Sequence, residues 1–145
     1  MQPLQENLQK FLIEHRQGTV VSLLDESHKT LVTELAKKLP QGRDGQAVVW
    51  KKKLLQKLDD PLPENLYIDP RADRQDLIGH GRTRVLLSHC ADTELLEAGF
   101  HGTPVICFPR NHHESRNAER AVRLGFASNF EDNRDSSSEE LVNVV

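Results

Sequence analysis

Short apolar segments alternate along the chain with longer segments in which apolar residues recur every three or four positions. Five of the short segments, TVVSLL, AVVW, NLYI, RVLLS and PVICF, have the length of β-strands, and FASNF is a weaker sixth. A strand that is apolar at successive positions is buried on both faces, which is typical of a parallel sheet between helices. The pattern therefore predicts an α/β fold with helices on both faces of one parallel sheet.

The intervening segments carry helix signals. DESHKTLVTELAKKL predicts an amphipathic helix that is capped by Asp25 or Ser27 and ends at Pro40. TELLEAGF and ESRNAERAVRLG predict two more, the second closed by Gly125. SSSEELVNVV predicts a last helix that stops on an apolar face. We therefore expect residues 1–145 to form a single domain that is a piece of a longer chain.

Such an alternation is typical of Rossmann-like sheets, in which ligands bind beyond the carboxyl ends of the strands. The segments to search for chemistry are accordingly Leu24-Asp25, residues 89–93 and residues 109–114. The net charge of −3 and the scattered basic residues argue against a nucleic-acid partner. No apolar run is long enough to predict a membrane segment, and the polar first residues do not resemble a signal peptide.

A metal site has weak support in the sequence, and so has a set of disulfide bonds. His112, His113 and Glu114 could join His89 or His101 at a metal, but no His-x-x-x-His or Cys-x-x-Cys spacing is present. We interpret these residues as polar loop residues and expect no metal. The two cysteines, at positions 90 and 107, exclude a disulfide framework, and a single bridge between them stays open.

The segment from His89 to Asn117 has a recognisable order of residues: a His, a Glu, a Gly-x-Pro that ends at Pro104, a second Pro and an Asn. It resembles the signature of the C-terminal, nucleotide-binding half of family 1 UDP-glycosyltransferases, which include the animal glucuronosyltransferases. DLIGHGRTRVLLSH, GTVVSLL and AVVW are similar to other runs of that domain, so the resemblance covers nearly the whole chain. It implies half of a two-domain GT-B glycosyltransferase with a UDP-sugar as donor substrate and no other cofactor.

The resemblance also implies roles for three retained residues. His89 would face the diphosphate of the donor, Glu97 would accept hydrogen bonds from the ribose, and Asn117 would lie near the phosphates. Other positions depart from the family pattern. They are Cys90 and Ala91 in place of two glycines, Leu24-Asp25 in place of Gly-Ser, Thr93 and Glu94 in place of Asn-Ser, His113 and Glu114 in place of the sugar-contacting Asp-Gln, and Arg71 and Arg74 in place of the Trp and Gln near the uracil.

These changes leave two functions open. In the first, the chain binds the UDP-sugar donor of a hexosyl or glucuronosyl transferase and is inactive alone, because the family's acceptor site and general base belong to its N-terminal domain. In the second, it is a degenerate, non-catalytic interaction module. Glu94 favours the second, because a carboxylate in the first turn of a helix repels a diphosphate there.

The sequence does not decide whether the chain is part of an active enzyme. It also leaves open the sugar, the acceptor, the oligomeric state and the compartment. The compartment would be the lumen of the endoplasmic reticulum if the chain resembles its animal relatives, and the cytoplasm otherwise.

Overall fold

The computed structural model describes residues 8, 11–12, 18–25, 28–40, 45–51, 63–69 and 72–129. These residues form six strands and four bounded helices, which alternate for most of their length. In chain order they are β1 (Thr19–Ser22), α1 (Lys29–Lys38), β2 (Ala47–Trp50), β3 (Leu66–Ile68), α2 (Arg74–Ile78), β4 (Thr83–Ser88), α3 (Asp92–His101), β5 (Val105–Cys107), α4 (His112–Leu124) and β6 (Ala127–Asn129).

All strand pairs are parallel and belong to one sheet, in the order β3-β2-β1-β4-β5-β6. This is the strand order of the Rossmann fold, so the predicted fold class is confirmed. The order reverses between β1 and β4, which are neighbours in the sheet although two strands separate them in sequence. A crevice forms beyond the carboxyl ends of the strands at such a reversal, which places the candidate site there.

The core lies on both faces of the sheet, as the continuously apolar strands predict. Successive residues of β1 point to opposite sides, so Val20 packs in the cluster that contains Leu35 of α1, and Val21 packs in the cluster that contains Ala98 and Ala118 of α3 and α4. The fully buried Trp50 ends β2, and its Nε1–H donates to the carbonyl of Leu24 at 2.8 Å. This bond fixes the backbone just beyond β1 at the rim of the crevice.

Most elements lie within two residues of the predicted bounds, and Gly125 closes α4 in the left-handed conformation at φ +90°. Two local predictions were wrong. The described N-cap of α1 is His28, without a side-chain hydrogen bond, rather than Asp25. The short helix α2 was missed, since its five residues are too few to show a period.

Some sequence predictions lie outside the described residues, namely Arg71, Ser27 and the last predicted helix in residues 136–145. Among the described residues, no helix is both long enough and apolar enough to cross a membrane.

Candidate functional site

Three loops meet at the carboxyl edge where the strand order reverses. They follow β1, β4 and β5, and the last two lead directly into α3 and α4. Five of the positions predicted from the sequence lie at or next to the start of α3 or α4: His89, Thr93, Glu94, His113 and Glu114. Glu97 lies one turn further into α3. Arg74 begins α2, and Asn117 lies one turn further into α4.

His89 holds the ends of three strands together. Its ring is 3% exposed, its Nδ1 lies 2.8 Å from the carbonyl oxygen of Phe108, and its Nε2 accepts the backbone N–H of Asp25 at 2.9 Å. A carbonyl can only accept, so Nδ1 carries the proton and Nε2 the lone pair. Burial is the main cause that lowers the pKa of His89, so the ring is neutral at pH 7. The residue that would face a diphosphate thus already has a partner at each nitrogen.

Cys90 and Cys107 form a disulfide that joins the ends of β4 and β5, with 5.6 Å between their Cα atoms. The sequence left this bridge open. Cys90 has a φ of +64°, a left-handed conformation that glycine adopts without strain and other residues rarely adopt. The turn after β4 therefore has a backbone conformation that suits glycine, although a disulfide-bonded cysteine occupies it.

The start of α3 has an acid but no side-chain cap. Its N-cap residue, Ala91, has no capping side chain, and Thr93 is exposed in the first turn. Glu94 accepts a hydrogen bond from the hydroxyl of Ser88 at 3.1 Å, and that hydroxyl also accepts the N–H of Cys90. Burial raises the pKa of Glu94. The acid expected to oppose a diphosphate therefore lies over the end of β4.

Arg74 and Glu97 form a bidentate ion pair across α2 and α3. The Arg74 Nε lies 2.7 Å from one carboxylate oxygen of Glu97, and its Nη2 lies 2.8 Å from the other. The structure thus brings together the position implied for uracil and the position implied for ribose. Each carboxylate oxygen of Glu97 has a second lone pair, so a ribose hydroxyl would have to bind beside Arg74, on the directions that the guanidinium leaves open.

Asn117 reaches back from α4 to the turn before α3. Its Nδ2 donates to the carbonyl of Cys90 at 3.0 Å and to the Asp92 carboxylate at 2.7 Å. The exposed His113 lies 2.8 Å from the same Asp92 oxygen. The hydrogen bond from Asn117, and then that from His113, lower the pKa of Asp92. These contacts link the first turns of α3 and α4.

Glu114 is buried and held by Arg110. It accepts from the Arg110 backbone N–H at 2.9 Å, from Nε at 3.0 Å and from Nη2 at 2.7 Å. This pairing lowers the pKa of Glu114. Arg110 also places Nη1 3.6 Å from the carboxylate of Asp25, so it lies between acids from two loops. The carboxylate for which the resemblance implies a position near the sugar is thus engaged within the chain.

Sequence reasoning missed a cluster at the end of β1. The Nδ1 of His28 lies 3.0 Å from Oδ1 of Asp25, and the Nε2 of His89 lies 3.6 Å from Oδ2. One ligand atom from each of the three residues lies within 4.8 Å of the others. The available signal was an Asp-x-x-His spacing directly after a predicted strand, whose carboxyl end faces the loop of His89.

The profile of the family described as "UDP-glucoronosyl and UDP-glucosyl transferase" matches residues 7–145. UDP-glucosyltransferase 2 of Dactylopius coccus is 28% identical over 130 residues, which cover 87% of this chain and 25% of that protein. Human 2-hydroxyacylsphingosine 1-beta-galactosyltransferase is 28% identical over 132 residues, which cover 85% of this chain and 23% of that protein. The chain thus spans about a quarter of the length of these relatives.

Solved structures agree with the fold. Os79 from O. sativa, in complex with UDP, superposes with a TM-score of 0.74 at 15% identity, over 97% of this chain and 34% of Os79. The calicheamicin glycosyltransferase CalG4 superposes with a TM-score of 0.71 at 20% identity, over 88% of this chain and 33% of CalG4. Strand order, signature residues and the family profile lead to the same conclusion, and the chain belongs to the UDP-glucuronosyl and UDP-glucosyl transferase family, as a GT-B-type C-terminal domain.

Proposed function

We propose that this chain is a donor-side domain that holds the UDP part of a nucleotide sugar at the carboxyl edge of its sheet. The observation that carries the proposal is the position of His89 in the loop before α3, beside the reversal of strand order, with Glu97 further along α3 and Asn117 of α4 bonded to the carbonyl of Cys90 in the same loop. The complex of the related fold Os79 with UDP supports a nucleotide ligand for this architecture. Sugar transfer itself we assign to an assembly with an acceptor-binding domain, because the chain matches about a quarter of its relatives.

The contacts of Glu94 and Glu97 within the chain should weaken the binding of UDP. A diphosphate at the start of α3 would lie close to Glu94, and two unit charges about 4 Å apart repel by roughly 1 kcal/mol in water and by more near a protein surface. A ribose would have to share Glu97 with Arg74. The guanidinium groups of Arg74 and Arg110 both lie close enough to lower the pKa of Glu94, so they offset part of its charge. We therefore expect weak UDP binding.

A second candidate is a family member that no longer binds nucleotide and acts as a non-catalytic interaction module. The observation in its favour is that the polar groups at the predicted site have partners within the chain. His89 is bonded at both nitrogens, Glu97 is paired with Arg74, and Glu114 is paired with Arg110.

Calorimetric titration with UDP separates the two candidates. The wild type should bind UDP weakly, and Glu94→Ser should bind it about fivefold more tightly, because removing a charge worth roughly 1 kcal/mol changes affinity by that factor. Arg74→Gln should not strengthen binding, because it removes a cation that offsets part of the charge of Glu94. Glu119→Ser, an exposed acid further along α4, is the matched control and should leave the affinity unchanged.

Parallel titrations with uridine and UMP show which part of UDP the Glu94→Ser substitution affects. If Glu94 opposes the diphosphate, the gain in Glu94→Ser is largest for UDP and absent for uridine. No heat with millimolar UDP in the wild type and in both variants would overturn the donor role and leave the non-catalytic candidate.

A further inference from the structure

We infer that Asp25, His28 and His89 form a binding site for a zinc-like divalent transition-metal ion at the carboxyl end of β1. The three residues come from the loop after β1, the N-cap of α1 and the loop after β4. Their ligand atoms lie within 4.8 Å of one another. The inference is independent of whether the chain binds UDP.

The distances suit a small ion. Ligands about 2.0–2.1 Å from a tetrahedral Zn²⁺ are separated from one another by about 3.3 Å. The Asp25 carboxylate lies 3.0 Å from Nδ1 of His28 and 3.6 Å from Nε2 of His89, on either side of that separation. These distances involve different oxygens of Asp25, and the three ligand atoms lie within 4.8 Å of one another, so some donors must move closer by up to about 1.5 Å to share one ion.

The orientation of His89 also suits a ligand. Its Nδ1–H donates to the carbonyl of Phe108, and a hydrogen bond of this kind fixes the ring of metal-bound histidines in other proteins. The lone pair on Nε2 is thereby directed toward Asp25 and His28. At present that lone pair accepts the N–H of Asp25, so a metal would displace one neutral hydrogen bond and shift the loop after β1.

The donor set selects the class of metal. Two imidazoles and one carboxylate match the three protein ligands of open zinc sites, whereas Mg²⁺ and Ca²⁺ prefer sites made of oxygen ligands. The side chain of His28 is 12% exposed and that of Asp25 is 32% exposed, so an ion can reach them from solvent. Arg110, 3.6 Å from Asp25, opposes a cation, but its closest contacts are with Glu114.

The test is a titration of the oxidised protein with ZnCl₂ in a buffer without thiols or chelators. In this state Cys90 and Cys107 are joined and cannot supply thiolates. We expect one equivalent to bind, with an affinity at least tenfold weaker in His28→Ala and in Asp25→Asn. MgCl₂ should give no comparable binding. His112→Ala, which removes an exposed imidazole at the start of α4, is the matched control and should bind as the wild type does.

Cobalt gives a second readout that surface binding does not reproduce. Co²⁺ bound by two imidazoles and a carboxylate in a four-coordinate site should show strong visible absorption, lost in Asp25→Asn. Circular dichroism checks that each variant is folded. Because the Asp25 side chain is 32% exposed, Asp25→Asn should fold and remain informative even if His28→Ala unfolds. Absence of one-to-one zinc binding, equal binding by wild type and Asp25→Asn, or loss of binding in His112→Ala would each overturn the site.

Discussion

The two helices that start at the carboxyl edge, α3 and α4, begin in opposite ways. α4 begins at Asn111, whose side chain accepts the N–H of Glu114 at 2.9 Å, and Arg110 holds the acid of its first turn. α3 begins at Ala91, which provides no cap, and its first turn contains two acids: Glu94 accepts from Ser88 of the preceding strand, and Asp92 accepts from Asn117 of α4. At the start of α4 a side chain thus accepts a backbone N–H of the first turn, whereas at the start of α3 no side-chain cap accepts one.

The same contrast appears in the acids themselves. The pKa of Glu94 is raised by burial, and the pKa of Glu114 is lowered by its pairing with Arg110. The charged form of Glu94 therefore destabilises the fold, and the charged form of Glu114 stabilises it. Glu94 of α3 and Glu114 of α4 therefore contribute to stability with opposite signs. Asp92, the other acid in the first turn of α3, has a pKa lowered by its hydrogen bond from Asn117 and contributes with the same sign as Glu114.

The largest expected effect concerns the disulfide that joins the two loops leading into these helices. Replacing Cys90 and Cys107 together by Ala should lower the free energy of unfolding by about 3 kcal/mol, because the bridge closes a loop 17 residues long in the unfolded chain. Urea unfolding of the oxidised protein and of the variant measures the difference. The reduced wild type is the control and should unfold as the variant does. Equal midpoints for oxidised protein and variant would show that the bridge does not tie the two helix starts together.

Exchanging the caps tests the contrast directly. Asn111→Ala should destabilise the protein by about 1 kcal/mol, because it leaves the N–H of Glu114 without its acceptor. Ala91→Asn at the start of α3 is the converse change and should stabilise it by a few tenths of a kcal/mol or more, since the position already has the extended backbone of a cap. Thermal unfolding at pH 7 measures both. If the two substitutions shift Tm in the same direction, the starts of α3 and α4 do not differ in the proposed way.

The smallest effect is the pH dependence of the two acids. Glu114→Gln should destabilise the protein at pH 7 by at most about 1 kcal/mol, since the partner Arg110 is half exposed, and the difference should vanish as pH falls through the lowered pKa. Glu94→Gln should instead stabilise slightly at pH 7, and this gain should disappear as pH falls through the raised pKa.

Urea unfolding between pH 7 and the acid range measures both profiles, with Glu119→Gln as a surface control. If Glu114→Gln and Glu94→Gln changed the free energy of unfolding in the same direction as pH falls, the two acids would not have opposite effects on stability.

The sequence was sufficient to predict the parallel sheet, but only part of the candidate site could be predicted from it. Continuously apolar strands such as AVVW predict burial on both faces, so the parallel sheet and the crevice at its carboxyl edge could be deduced. His89, Thr93 and Glu94 could be placed at this edge because they follow a predicted strand, whereas Glu97, Asn117 and Arg74 were proposed from the family resemblance, and their roles stay predictions. The partners of these residues could not be predicted, since the bonds of Arg74 to Glu97 and of Arg110 to Glu114 depend on side-chain reach in three dimensions. The grouping of Asp25 with His89 was missed for the same reason: 64 residues separate them.

The central pairing of β1 with β4 has a consequence for synthesis of the protein. β1 is complete at residue 22, but its neighbour on one side is not finished until residue 88. The nascent chain therefore carries an apolar strand with one unpaired edge until β4 has emerged from the ribosome. Contacts between distant residues slow folding, and unpaired edges promote aggregation.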